Sequence, residues 1–214
     1  MQDNPETKRR LIEAALAQAA VRGWRDLSLA DIAAAAGVPL AQAYALFPSK
    51  QAVLEGFLAD IDRVVLERGA PEPGETAHDR LFDAVMRRFE ALTPHRPALR
   101  VILQDTRRDP LALLCGVGGF LRSMAATLEA AGIASDGLGG LLRAQGLGIV
   151  YLQTLRVWLQ DETPDGARTM AALDRNLRRA EALCGGLRRR PRRGGGEPAP
   201  EPPPVPAEGQ SAIG

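Results

Sequence analysis

An all-α fold is the class this sequence predicts, and three observations predict it. Aromatic residues make up only 4% of the 214 residues, so the core must be built mainly from Leu, Ala, Val and Ile, a mixture that favours helix. Apolar residues recur at three- and four-residue spacing along most of the chain. Each of these runs is bounded by Ser, Thr, Asp, Pro or Gly at the places where helices start and stop, and no run alternates as a strand would. The pattern divides into about nine helices, the first three short, the later ones longer.

The first helix opens at Asn4-Pro5-Glu6, where Asn can cap and Pro can take the first helical position. Leu11, Ile12, Ala15, Leu16 and Ala19 form its apolar stripe, and Gly23 closes it. Ser28 and Asp31 stand three apart, the spacing of a capping box, at the head of a second helix that runs through Ile32 to Ala36 and stops at Gly37. Pro39 starts a third helix that Pro48 ends. Ser49 caps a fourth, with Leu54, Phe57, Leu58, Ile61 and Val65 as its apolar positions.

The segment PEPGE at 71–75 reads as a loop and a domain boundary. Thr76 then caps a helix bearing Phe82, Val85, Met86 and Phe89, which TPHRP at 93–97 breaks, and Leu99 and Leu103 mark a short helix after it. Asp109-Pro110 opens a helix with Leu113, Leu114, Val117, Leu121, Met124 and Leu128 as its stripe, interrupted by Gly116, Gly118 and Gly119. Another runs from about Asp136 to Gln160. Thr163-Pro164 caps the last helix, where Met170, Leu173, Leu177, Ala180 and Cys184 recur as a partner-facing seam would. From Leu187 the chain is rich in Arg, Gly and Pro, cannot bury a core and is expected to be disordered. The expected organisation is a head over 1–66, a body over 76–186 and a tail over 187–214.

Net charge is +1, so no global field draws this chain to a polyanion. The two cysteines, Cys115 and Cys184, sit in apolar helical settings and read as buried thiols. His78 and His95 are too few and too far apart for a metal cluster. No apolar run reaches membrane-spanning length without a charge, and the N-terminus MQDNPETKRR has no apolar signal core. The expectation is a cytoplasmic protein. No Gly-rich phosphate loop follows a strand, no His-Glu metal spacing occurs, and no Ser or Cys has a His base close in sequence. The chain is therefore read as not an enzyme, with no cofactor and no metal site.

Three short helices with a tight Gly turn between the second and third spell a helix-turn-helix. The Ala-rich second helix lets the third cross closely, Gly37 permits the turn and Val38 plugs the angle between them. The stretch TKRRLIEAALAQAAVRGWRDLSLADIAAAAGVPLAQAYALFPSKQAVLEGF resembles the N-terminal domain of TetR-family transcriptional regulators. The matching parts are the basic first turn, the Gly-aromatic pair, LSLADIAAAAGV, the Tyr and FPSKQAVL. This resemblance implies a ligand-responsive DNA-binding regulator, a repressor. It would be a homodimer, through the last two helices, whose larger C-terminal body binds a small apolar ligand or lipid and sets the spacing of two heads on a double-stranded DNA operator.

Carried over position by position, the resemblance gives Tyr44, Ser28 and Lys50 contacts at or near the DNA backbone, with Lys8 and Arg9 as basic residues flanking the first helix. Pro39, Leu40 and Gln42 fall where base edges or methyl groups are met, and Gln42 can pair with adenine. The sequence departs from the family at Leu46, usually His or Tyr, and at Ala43, usually a larger aliphatic residue. Within residues 1–64 seven basic residues face eight acidic ones, so this head is not net basic.

A second, looser resemblance covers the C-terminal half: RLFDAVMRRFEAL and VWLQDETPDGARTMAALDRNL are similar to the lipid-binding proteins of ubiquinone biosynthesis, which share the fold without regulating genes. The alternative it implies is a lipid- or isoprenoid-binding protein. The well-formed helix-turn-helix and the polar tail favour the regulator. For the ligand wall the sequence offers Met86, Phe89, Phe120, Met124, Tyr151, Leu155 and Trp158, since Met and aromatic residues make adaptable apolar pockets. Trp158 to Asp161 is expected to fix the corner between the last two helices.

Overall fold

The computed structural model describes residues 5–67 and 74–188, with the side chains of 110–113, 115 and 184–188 left aside. The described residues form nine α-helices and no strand: α1 Pro5–Arg22, α2 Leu29–Ala36, α3 Leu40–Leu46, α4 Lys50–Leu66, α5 Ala77–Leu92, α6 Arg96–Thr106, α7 Pro110–Ala130, α8 Gly137–Trp158 and α9 Ala167–Arg188. A 3-10 turn, Thr93–His95, joins α5 to α6. The all-α expectation is met. The expectations placed on Asn4, most of PEPGE, Leu113, the two cysteines and the chain beyond 188 lie outside the described residues or side chains.

Local punctuation sets the first four helices. Ser28 accepts from the Asp31 amide while the Asp31 carboxylate accepts from the Ser28 amide, a complete capping box. Ser49 and Thr76 cap α4 and α5 in the same way through the amides of Ala52 and Asp79. Pro39 is the N-cap of α3 rather than its first residue.

α1 packs on α2, α4 and α6, while α4 continues upward to meet α5 and α7. α7 lies against α8, α8 against α9, and α5 closes onto α9. One continuous buried cluster runs from Leu11 and Ile32 through Phe57 and Phe89 to Trp158 and Leu177. Head and body therefore share a core, and displacement of one is felt by the other.

Beneath the apolar residues lies a polar tie. Arg88 of α5 is buried and bonds Asp62 of α4 and Ser123 of α7, while Ser123 also donates to Asp62. The Arg88 guanidinium lies 5.7 Å from the centre of the Tyr151 ring on α8. Four helices thus converge on one cation.

Three expectations about the body need correction. First, Thr163-Pro164 does not cap α9, which starts at Ala167. The buried Asp161 organises that corner, accepting from the amides and hydroxyls of Thr163 and Thr169, while Arg96 donates to its backbone carbonyl and stacks 4.6 Å from the Trp158 ring centre. Burial pushes its carboxyl up, but these hydrogen bonds outweigh it and hold the group far below the usual carboxylate range.

Second, the α9 seam does not face outward: Leu173 and Leu177 are buried within the chain because α5 and α8 cover them. The outward apolar stripe lies on α8 instead, where Leu138, Leu141, Leu142, Ile149 and Leu152 are exposed. At 3.6 residues per turn these five fall within an arc of about 100°. Third, the α7 stripe is only half buried. Met124 and Leu128 enter the core, but Leu114 and Val117 are exposed.

Candidate nucleic-acid interface

The interface is built on the turn between α2 and α3. Gly37 ends α2 with φ 62°, a conformation that a side chain resists, and its amide and that of Val38 return to Ala34 and Ala33. Val38 is buried in the angle, and α2 and α3 meet at 112°. Ala43 is fully buried, which lets α3 lie close against its supports, and Phe47 anchors its end against Gly56 of α4. Arg10 of α1 donates to the carbonyls of Ala36 and Gly37, bracing the turn from behind.

With Ala43 inward, the opposite face of α3 is outward. Pro39, Leu40, Gln42 and Tyr44 are all exposed, with Tyr44 at 62% and Leu40 at 51% of full exposure. All four are thus accessible on this short helix, with Gln42 and Tyr44 projecting to opposite sides of its outward face. Leu46, where the family carries a polar residue, is half-buried. Ser28 is also exposed, but its hydroxyl is already bonded to Asp31, whose carboxyl those bonds to Ser28 lower.

The cations are arranged differently from what the sequence suggests. Lys50 Nζ donates to the carbonyls of Trp24, Arg25 and Leu27 at 2.8, 2.9 and 2.7 Å, and lies 5.5 Å from the centre of the Trp24 ring. An ammonium has three donors, so in this structure Lys50 is used inside the head rather than offered to a phosphate. Burial lowers its pKa, against the opposing pull of Asp26, Asp105 and Asp109. Arg9 is paired on the surface of α1 with Glu6 and Glu13, both at 2.8 Å. Lys8 is half-buried. Sequence reasoning missed both Lys50 and Asp105 as structural ties. Asp105 of α6 accepts from the amides of Trp24 and Arg25 at 2.8 and 3.1 Å, so the turn 23–27 is clamped by one residue of α4 and one of α6.

The predicted ligand wall divides in the body. Phe89 stacks on Tyr151 and Trp158 with ring centres 5.1 and 5.5 Å apart, and Met124, Tyr151 and Leu155 are buried among neighbouring helices. Met86, Phe89 and Trp158 border a cavity of about 300 Å³ beside the Asp161 corner. Phe120 borders a different one of about 200 Å³, beneath the head. Among the described residues, no group of three or more His, Cys, Asp or Glu side chains could hold a metal. No single described helix is long and apolar enough to cross a membrane.

These features define a helix-turn-helix head on an all-helical body. Residues 11–56 match the family model for bacterial regulatory proteins of the tetR family. The chain is similar in fold to a TetR transcriptional regulator from Nitrosomonas europaea ATCC 19718, at TM-score 0.67 and 23% identity over 83% of this chain and 99% of that one. A TetR transcriptional regulator from Rhodococcus sp. RHA1 aligns at TM-score 0.59 and 22% identity, over 86% and 99% of the two chains. GusR of Salmonella enterica aligns at 0.53 and 20%, over 88% and 98%. No curated protein matches the chain. The N-terminal segment is thus a TetR-family domain, and the chain as a whole has the fold of TetR-family regulators.

Proposed function

We propose that this chain is a ligand-responsive transcriptional regulator of the TetR type, a repressor that works as a homodimer on double-stranded DNA. The observation that carries the reading is the accessibility of α3: Pro39, Leu40, Gln42 and Tyr44 are each exposed on a segment whose sequence matches the family's N-terminal model. Gln42 has the donor and acceptor that an adenine edge requires, and Leu40 suits a thymine methyl. Tyr44 can donate to a phosphate oxygen.

Phosphate neutralisation supplies much of the affinity in such complexes. With Lys50 turned inward and Arg9 paired, each head offers little of it. Affinity then depends on two heads held together, and the exposed α8 stripe is the surface suited to a second copy.

Selection of DNA fragments by the purified protein, followed by gel-shift titration, tests the reading. Gln42→Ala should relax sequence preference and Tyr44→Ala should weaken binding to all sequences. Salt dependence should be shallow. Failure to retard any enriched fragment, with an apolar molecule co-purifying, would transfer the assignment to small-molecule carriage.

A further inference from the structure

The cavity of about 200 Å³ beneath the head is walled by four parts of the chain: Trp24 in the turn after α1, Leu54 and Leu58 of α4, Asp105 and Thr106 of α6, and Gly116, Gly119 and Phe120 of α7. Its inner polar groups already have partners. Lys50 holds three carbonyls, Asp105 holds two amides and the Thr106 hydroxyl donates to Ile102 at 2.7 Å. Arg25, Gln51, Glu55 and Asp109 line it too, but all four are exposed residues. A charged ligand would find no free counter-charge inside, and burying it unpaired is costly. A neutral apolar molecule needs none. Cavities of this order take up a single aromatic ring, and Trp24 and Phe120 supply aromatic surface for one.

The glycines point the same way. A Cβ at Gly116 would meet nothing within 4 Å, and at Gly119 only the mobile end of Arg122 at 3.8 Å. Packing among the described residues does not demand glycine at either position, yet both weaken a helix. Their effect is to leave the wall of the cavity without side chains.

We propose that this head–body cavity binds a neutral single-ring aromatic molecule and is the effector site of the regulator. The proposal rests on the regulator reading for its consequence, not for the binding itself. An occupant touches the clamp in which Asp105 of α6 holds the amides of Trp24 and Arg25, so it alters head position by direct contact rather than through the stacked core of Phe89, Tyr151 and Trp158. A ligand can shift the equilibrium only by favouring one head position, and this cavity has walls in both the Trp24 turn of the head and α7 of the body.

Fluorobenzene titrated into the full chain, followed by its fluorine NMR resonance, tests the site. Saturable binding is expected, weakened by about tenfold or more in Leu58→Phe and in Gly119→Leu, which add volume to the walls, and unchanged in Met86→Leu beside the other cavity. Hydrogen exchange at the Trp24 and Arg25 amides should change on binding. Absence of saturation, or equal affinity in both filled variants, overturns the site. Binding without any change at those two amides overturns its role as effector site. Saturable fluorobenzene binding by a protein that retards no DNA sinks the regulator reading and keeps the cavity, whereas operator binding without fluorobenzene binding does the reverse.

Discussion

In the head, Gly37 holds a φ of 62°, and a Cβ on Gly56 would stand 2.7 Å from the Phe47 ring. In the first half of α7, Gly116 and Gly118 have no positive φ, and a Cβ on either would meet nothing within 4 Å. The same residue type thus answers two different needs. The head glycines are imposed by contacts the chain makes with itself, so the backbone there has one solution. The α7 glycines sit where the stripe of Leu114 and Val117 is still exposed, and what they provide is unfilled space and a weakened helix. A region whose packing is closed holds α3 in one position; a region whose packing is left open has room for a second molecule, as the proposed effector site requires.

The comparison is tested most severely at the open side of the body. Leu142→Asp with Ile149→Asp should weaken self-association by at least about a hundredfold, seen as a shift from dimer to monomer in light scattering, because it puts charge at the centre of the apolar stripe. An unchanged dimer would remove α8 as the interface. Next in size is Asp62→Ala, which strands the buried Arg88 and should cost about 3–4 kcal/mol in urea unfolding. A loss near zero would mean that α4 and α5 are not joined through that cation.

Asp161→Ala should cost about 2–3 kcal/mol by leaving the Thr169 and Thr163 donors without their acceptor. In the parent protein the Asp161 carboxyl is lowered on folding. Its contribution is therefore complete above the unfolded value, about 4, and drains away as pH falls below that toward the lowered native value. Unfolding curves of parent and variant should converge in acid, and a constant gap down to the lowest accessible pH would contradict the assignment. The smallest effects address the glycines themselves. Gly56→Ala should destabilise by about 1–2 kcal/mol by pressing on Phe47, while Gly116→Ala should stabilise by about 0.5–1 kcal/mol through helix propensity alone. Equal signs for the two would erase the distinction between closed and open regions.

The head was largely legible because its signals are short-range. Ser28 and Asp31 are three residues apart, and Gly37 returns its amide to Ala34, so a reader of the sequence sees both partners together. The exposure of Gln42 and Tyr44 is consistent with one buried position, Ala43, which each flanks by about 100° on the helix. The body misled for the opposite reason. A three-and-four spacing states that a helix has an apolar face but not what covers it. Leu173 and Leu177 on α9 have the same pattern as Leu138, Leu142 and Ile149 on α8, yet α5 and α8 cover the first pair and none of the described residues covers the second set. The internal ties of Lys50 were hidden likewise, since its three carbonyl partners lie 23 to 26 residues away.

By itself the sequence determined the helical class, the start and stop of most helices and the tight turn that makes α3 protrude. These depend on torsional preference and on hydrogen bonds closed within about one helical turn. Only the tertiary structure decided which cations are spent internally, which apolar stripe is left for a partner, and that Trp24, Leu58 and Phe120 border a common space. Those outcomes depend on which helices arrive beside one another from distant parts of the chain, and local spacing carries no record of that.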